Sequence, residues 1–305
     1  MNKLYLSCYG DNLRIVSGQK CKYDGQYKIS ETLEFSFNGL ISNASIKKEF
    51  IIECAKKIKL QLKSKKIMAR NISVVMSGKG IIVRPIKVPK LSMSDLDKML
   101  KMESGEYLMV SSDEYAFQYK IISEYSENGQ AFYEILLAAV PHENMERIAS
   151  LIECAGLHIS CIDILPNSLL RLVNSLKLNN VMIINSGREG TSLGIYKDLS
   201  LFIYTDIPFK LTGDNENNYL SLIDELRGYL DFYSSRNFGK NVELIIVTGE
   251  IAGNEVVLEL IEKNLKIPVN CGLKTMLTIE DNIKNKDSSS SYYLYPDILG
   301  LMIRT

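Results

Sequence analysis

The sequence predicts an α/β protein made of two copies of one βββ-α-β-α unit, with a small β-α-β-β block inserted into the first copy. Three observations predict it. Three short apolar runs separated by turn residues open the chain and lead into an amphipathic helix and a buried-looking strand. The same order of runs and helical spacings returns after residue 180. The stretch between them has a different rhythm and a different charge.

In the first copy the runs LYLS (4–7), LRIVS (13–17) and YKISETLEF (27–35) are broken at Gly10-Asp11-Asn12 and at Asp24-Gly25, which predicts an antiparallel meander. A helix follows over about 45–66, because Ile46, Phe50, Ile51, Cys54, Ala55, Ile58 and Leu62 recur at helical spacing opposite a lysine-rich face. NISVVM (71–76) reads as a buried strand. In the second copy VMIIN (181–185), TSLGIY (191–196) and LSLFIYT (199–205) form the meander. A helix follows at about 217–235, then the strand ELIIVTG (243–249) and a helix at about 254–265.

Between them, IIVRPIKV (81–88), YAFQYKII (115–122) and FYEILLAAV (132–140) read as strands. SMSDLDKMLKMESGEYL (92–108) reads as a helix opened by Ser94 with Asp97 three residues on. Pro141 starts a helix that Gly156 closes. The boundaries expected are 1–76 with 141–178 for the first half, 77–140 for the insertion and 179–305 for the second half. The serine-rich stretch 282–293 reads as a loop.

Composition limits the functions available. The 305 residues carry 36 Lys+Arg against 36 Asp+Glu, which argues against a nucleic-acid binder. No apolar stretch reaches the roughly 18–20 residues of a bilayer span, and MNKLYLSCYG lacks the zones of a secretory signal, so a cytoplasmic protein is expected. Cys8, Cys21, Cys54, Cys154, Cys161 and Cys271 form no C-x-x-C and read as reduced, mostly buried thiols. With His142 and His158 as the sole histidines, a zinc site has few plausible ligands and a Cys–His catalytic pair little support. Charge is segregated: Lys47–Arg70 holds nine bases against Glu49 and Glu53, whereas 94–146 holds eleven acids against Lys98, Lys101 and Lys120. Both stretches read either as solvated faces or as surfaces for an anionic and a basic partner.

Several local stretches carry a family resemblance. The run R-x-I-x-V-P-x-L-S at Arg84–Ser92, the helix after it with Glu103 and Glu106-Tyr107-Leu108, and AAVPHENMERIASLIECAGLHISCIDILPNSLLR (138–171) resemble the PilM family of type IV pilus assembly. Asp206-Ile207-Pro208 and the helix Leu226–Tyr233 continue the likeness. The resemblance implies an actin-like fold, with ribonuclease H-like halves and the insertion of the FtsA and PilM branch.

It also locates three nucleotide loops and shows how this chain departs from them. In the first, Ser7 stands where the metal-organising acid belongs and Tyr9 where a glycine lets phosphate approach; Gly10 survives, and Asp11 reads as a hairpin turn residue. In the second, Gly187 and Thr191 match, but Asn185 replaces the acid. In the third, Gly249 and Gly253 match and Glu250 replaces a glycine. The helices that cap the nucleotide are mostly missing after Pro208, where Phe209-Lys210-Leu211-Thr212-Gly213 runs straight towards the next helix. The implied reading is no enzyme: no catalytic residue, no metal, and neither ATP nor Mg²⁺ as cofactor. The glycines equally serve as ordinary strand-end residues.

The family implies a peripheral scaffold at the inner face of the membrane. Its partner is the cytoplasmic N-terminal peptide of a PilN-like inner-membrane protein, with other platform proteins, an assembly ATPase or further copies of the chain alongside. Candidate groove walls are Arg84, Ile86 and Val88 with Leu96, Leu100, Glu103 and Tyr107; their other reading is the insertion's own core. An actin-like ATP-binding switch in pilus, secretion or cell-division assembly stands as the alternative.

Overall fold

The computed structural model describes residues 3–20, 26–43, 45–78, 80–187, 190–209, 216–272, 278–281 and 295–304. The first meander is β1 (Lys3–Tyr9), β2 (Asn12–Lys20) and β3 (Gln26–Ser36), followed by α1 (Lys48–Ser64) and β4 (Asn71–Ser77). The insertion is β5 (Ile82–Pro89), α2 (Met93–Leu108), β6 (Tyr115–Glu127) and β7 (Gln130–Pro141). Then come α3 (His142–Cys154), β8 (His158–Ile164) and α4 (Leu165–Ser175). The second unit is β9 (Val181–Gly187), β10 (Gly190–Lys197), β11 (Ser200–Ile207), α5 (Glu216–Arg236), β12 (Leu244–Thr248), a 3-10 turn at Glu250–Gly253, α6 (Glu255–Leu265) and β13 (Val269–Cys271). β14 (Thr278–Asp281) and α7 (Pro296–Arg304) end the described chain.

The duplication is visible in the sheets. The first runs β14-β3-β2-β1-β4-β8 and the second β11-β10-β9-β12-β13, so that apart from β14 the order is the same in both. Each has an antiparallel meander joined to parallel strands, with Leu6 opposite Val74 in one and Ile183 opposite Ile246 in the other. β9 reads VMII without polar alternation because both its faces are buried. Val181 and Ile183 pack into the first core, while Met182 and Ile184 pack under α5 and α6. The insertion forms its own sheet, β5-β7-β6, with α2 on one face. The other face, through Val83, Leu136 and Val140, joins the first core.

Several details differ from the sequence reading. The second half was expected to hold all of 179–305, yet β14 pairs with β3 and α7 lies in the first core, where Ile298, Leu299, Leu301 and Met302 are fully buried. The cap of α2 is Ser92, whose Oγ accepts from the Asp95 N–H at 3.2 Å, rather than Ser94; both serines have an acid three residues on, and starting at Met93 adds about half a turn. Of the described cysteines only Cys8 and Cys54 are buried, whereas Cys154 is exposed. Cys21, the turn at Asp24-Gly25, the loop 282–293 and the stretch Lys210–Gly213 lie outside the described residues.

Asp11 does more than turn the hairpin. Its carboxylate accepts from the backbone N–H of Gly39, Ile41 and Ser42 and from the Ser42 hydroxyl, at 2.6–3.1 Å, and so pins the loop after β3. Burial pushes its carboxyl up, but the four hydrogen bonds together outweigh that and hold it below the usual carboxylate value. Asp11→Asn is therefore expected to cost about 1–3 kcal/mol at pH 7. The folded-state pKa is depressed, so this contribution is present above the unfolded value and lost as pH falls through the folded one. Urea unfolding of the two proteins should accordingly converge in the acid range below the ordinary aspartate pKa.

Candidate functional site

The carboxyl ends of β1, β9 and β12 meet at one cleft, the place where open α/β sheets offer loops and glycines to a ligand. A cavity of about 520 Å³ there is lined by Ser7, Tyr9, Arg14, Asn185, Gly187, Gly249, Glu250 and Asp297 among others. Of the nucleotide-loop positions, the cleft thus gathers Ser7, Tyr9, Asn185, Gly187, Gly249 and Glu250. Gly10, at φ +58 on the hairpin tip, and Thr191 line a second hollow instead, and Gly253 closes the 3-10 turn outside both.

Each of these residues is already engaged within the protein. The Tyr9 phenol reaches across to the second hairpin, where its oxygen lies 3.2 Å from the point a side chain at Gly190 would begin. The Glu250 side chain stands 3.8 Å from the corresponding point on Gly187, placing a carboxylate beside the second loop. The Asn185 oxygen accepts from the Thr248 hydroxyl at 3.2 Å. The Thr191 and Ser186 hydroxyls, both buried, bond to each other at 2.6 Å. Gly249 has φ +79, and a Cβ there would come within 2.9 Å of the Ser186 nitrogen and 3.0 Å of the Asn185 Oδ1. Its absence of a side chain is needed to pack the ends of β9 and β12 together, whatever the cleft holds.

Ser7 donates its hydroxyl to the buried carboxylate of Asp297 at the start of α7. Burial pushes the Asp297 carboxyl up, against the Ser7 hydrogen bond and the nearby Arg14 charge, which favour its ionised form. Arg14 bonds Glu34 at 2.8 Å and lies 4.8 Å over the Tyr295 ring. Burial, with a smaller effect of Asp11, pushes the Cys8 thiol up to about 12, so it stays protonated and unreactive. Asp297 went unnoticed in the sequence; its one signal was an acid directly after Pro296 at a helix start.

As a Mg-ATP site these residues fit poorly. An aromatic ring occupies the approach to one hairpin, a carboxylate flanks the other, and Ser7 and Asn185 offer no charge to a cation. Among the described residues no group of three His, Cys, Asp or Glu side chains could hold a metal ion.

Beyond Tyr9 lies the second hollow, of about 1050 Å³, at the root of the insertion. Ile41, Gly78, Ile81 and Asn144 line it from the first half, and Asp206, Pro208, Phe209 and Ser221 from the second. The groove walls expected on the insertion fare differently. Val88, Leu96 and Leu100 are buried between β5 and α2 as the insertion's own core, because helical and strand periods turn them towards each other. They have no surface to offer a peptide. Ile86 and Tyr107 pack against that core from its rim; Tyr107 bonds Glu103 at 3.3 Å, and Arg84 is exposed.

Paired sheets of like order around a cleft, with α4 and α7 packed against each other, define the actin-like ATPase fold. The family model described as Type IV pilus assembly protein PilM matches residues 12–207, and the chain belongs to that family. Among solved structures it resembles a PilM-PilN type IV pilus biogenesis complex, with TM-score 0.81 and 16% identity over 100% of this chain and 98% of the other. More distant in fold are the ethanolamine utilization protein EutJ from Carboxydothermus hydrogenoformans (TM-score 0.52, 9% identity, 99% and 89% covered) and the cytoplasmic domain of EpsL from Vibrio cholerae (0.50, 8%, 98% and 95%). No curated protein matches the sequence. Among the described residues no helix is long and apolar enough to cross a membrane.

Proposed function

We propose that this PilM-family protein is a non-hydrolysing scaffold of the pilus machine. It takes the cytoplasmic N-terminal peptide of a PilN-like inner-membrane partner in the hollow at the insertion root, and is held at the membrane through that partner. The observation that carries the reading is the position of Tyr9, which bounds both cavities. On one side its phenol crosses to Gly190 and crowds the phosphate loops; on the other it leaves a groove of about 1050 Å³ with mixed apolar and polar walls. An extended peptide suits such a groove better than a compact nucleotide, since alternate side chains can pack on Ile41 and Pro208, which keep surface on the groove, while Asp206 and Asn144 meet its backbone or charges. The likeness in fold to a PilM-PilN complex supports the choice of partner.

Isothermal calorimetry tests it, with Mg-ATP in one titration and the partner's N-terminal peptide in another. Peptide heat at a micromolar Kd, about −8 kcal/mol, is expected, with none from Mg-ATP. Asn144→Trp, which fills the groove from its α3 wall, should weaken the peptide by at least about tenfold, the 1.4 kcal/mol of one lost pocket. Micromolar binding of Mg-ATP would instead make the protein an actin-like switch.

A further inference from the structure

The edge of each sheet turned away from the cleft carries a matching feature. In both copies the helix that follows the meander ends there and loops back into the central parallel strand: α1 into β4 in the first, α5 into β12 in the second. The first loop reads Lys65-Lys66-Ile67-Met68-Ala69-Arg70 and the second Asn237-Phe238-Gly239-Lys240 after Arg236. Each lifts one apolar side chain into solvent, Met68 at 88% exposure and Phe238 at 98%.

Phe238 is the more telling. Its φ of +53 lies in the left-handed region, which a bulky side chain adopts at a cost and which glycine or asparagine would take more easily. The turn around it is not loose. The N–H groups of Asn237 and Gly239 both donate to the Ser234 carbonyl, at 3.1 and 3.0 Å. The buried Asn237 amide donates to the Tyr233 hydroxyl at 2.9 Å, and that hydroxyl donates to Asn180 at 2.7 Å. A hydrogen-bonded pedestal therefore holds an aromatic ring outward where the fold gains nothing from it.

The surroundings are basic on balance, with Asp198 and Glu243 near Tyr233 and Glu31 paired to Lys65 as the acids among them. Lys63, Arg236 and Lys263 sit in the last turns of their helices, where the helix dipole favours them. Lys66, Arg70, Lys240 and Lys266 lie beyond the helix ends, are exposed, and make no ion pair among the described residues. On the outer face of α1, Leu60 stands 67% exposed among Lys56, Lys57 and Lys63.

We propose that this edge contacts an anionic membrane surface, with Phe238 and Met68 entering the headgroup boundary and the lysines and arginines meeting lipid phosphates. Separate apolar tips in a basic field suit a fluid anionic surface that closes around each of them. The exposed lysines and arginines around the tips are complementary in charge to an anionic surface, which an apolar protein face would not match. The proposal goes beyond peptide capture and does not depend on it.

Vesicle flotation of the full chain, without partner peptide, tests it. Phosphatidylcholine vesicles with roughly a third phosphatidylglycerol should carry the protein up, pure phosphatidylcholine should not, and added salt should release it. Phe238→Gly should lower the partition about tenfold by removing the ring. The same variant should melt at the same temperature or higher, since glycine accepts φ +53. Lys66→Gln with Arg70→Gln should lower partition roughly fivefold per residue. Equal binding to neutral vesicles, or partition unchanged by Phe238→Gly, would overturn the proposal. So would a Phe238-dependent dimer in light scattering without vesicle binding, which would seat the ring on a second copy.

Discussion

Gly300→Ala is expected to destabilise the protein by about 3 kcal/mol, seen as a lower urea midpoint at unchanged slope. Alanine ordinarily strengthens a helix relative to glycine, by roughly 0.5–1 kcal/mol, so the sign here is set by packing. Gly300 lies where α7 crosses α4, and a Cβ would fall onto the Ser168 backbone, with the Ser168 Oγ only 2.7 Å away. Neither helix can retreat freely. The Ser168 hydroxyl donates to the Asp297 carbonyl at 2.5 Å, and Arg171 donates to the Gly300 carbonyl at 2.8 Å. Asp163 accepts from both Arg171 and Arg304, tying α4 to the end of α7. Gly228, in α5, has nothing within 4 Å of its missing Cβ, so Gly228→Ala should gain the usual fraction of a kcal/mol in the same assay.

Placing an acid at position 7, where the family resemblance expects one, by Ser7→Asp should harm the fold and confer no nucleotide binding. Ser7 donates to Asp297, which is buried at the end of the cavity. A second carboxylate there removes the donor and sets two negative charges side by side in a place where burial already pushes the Asp297 carboxyl up. A loss of about 3 kcal/mol is expected at pH 7.5, of the order measured when a buried charge loses its partner. The sign with pH follows from linkage. Both folded-state pKa values are raised, so the native pair holds more protons than the unfolded chain, and the penalty shrinks as pH falls towards the carboxylate range. Unfolding midpoints of Ser7→Asp and the parent should therefore differ less at pH 5 than at pH 7.5. Even with Asn185→Asp added, Mg-ATP should give no heat in calorimetry, because Tyr9 and Glu250 keep their places.

The repeated unit was legible because its strands and helices are long enough to show a period. β9 reads as an unbroken apolar run, and α1 and α5 carry apolar stripes that match the buried residues observed. α7 is different: it is only nine residues long, and nothing local assigns Ile298, Leu299, Leu301 and Met302 to the first core, which they join across the whole second unit. The departures of the three loops from the family pattern are legible residue by residue, since a serine or an amide in place of an acid shows in the sequence itself. Where the Tyr9 ring would go, and that Asp297 would meet Ser7 across 290 positions, depends on tertiary packing alone. The same limit applied to the groove. Val88, Leu96 and Leu100 looked equally suited to a wall and to a core, and only the pairing of β5 with α2 decides between them. The hollow at the insertion root draws residues from both halves, so no local pattern announced it.

The place of α7 has a consequence for how the protein is made. The first core is completed by a helix that lies beyond the whole of the second unit in the chain. On the ribosome, the first meander, its helices and the insertion emerge early, yet the pocket that α7 fills stays open while more than a hundred further residues are synthesised. The two halves cannot mature one after the other, as independent domains do. The second half can close around its own core of α5 and α6, whereas the earlier-born half waits for the later-born one. For that interval the nascent chain presents an apolar trough lined by α4 and β1, a surface for chaperones to shield until α7 docks.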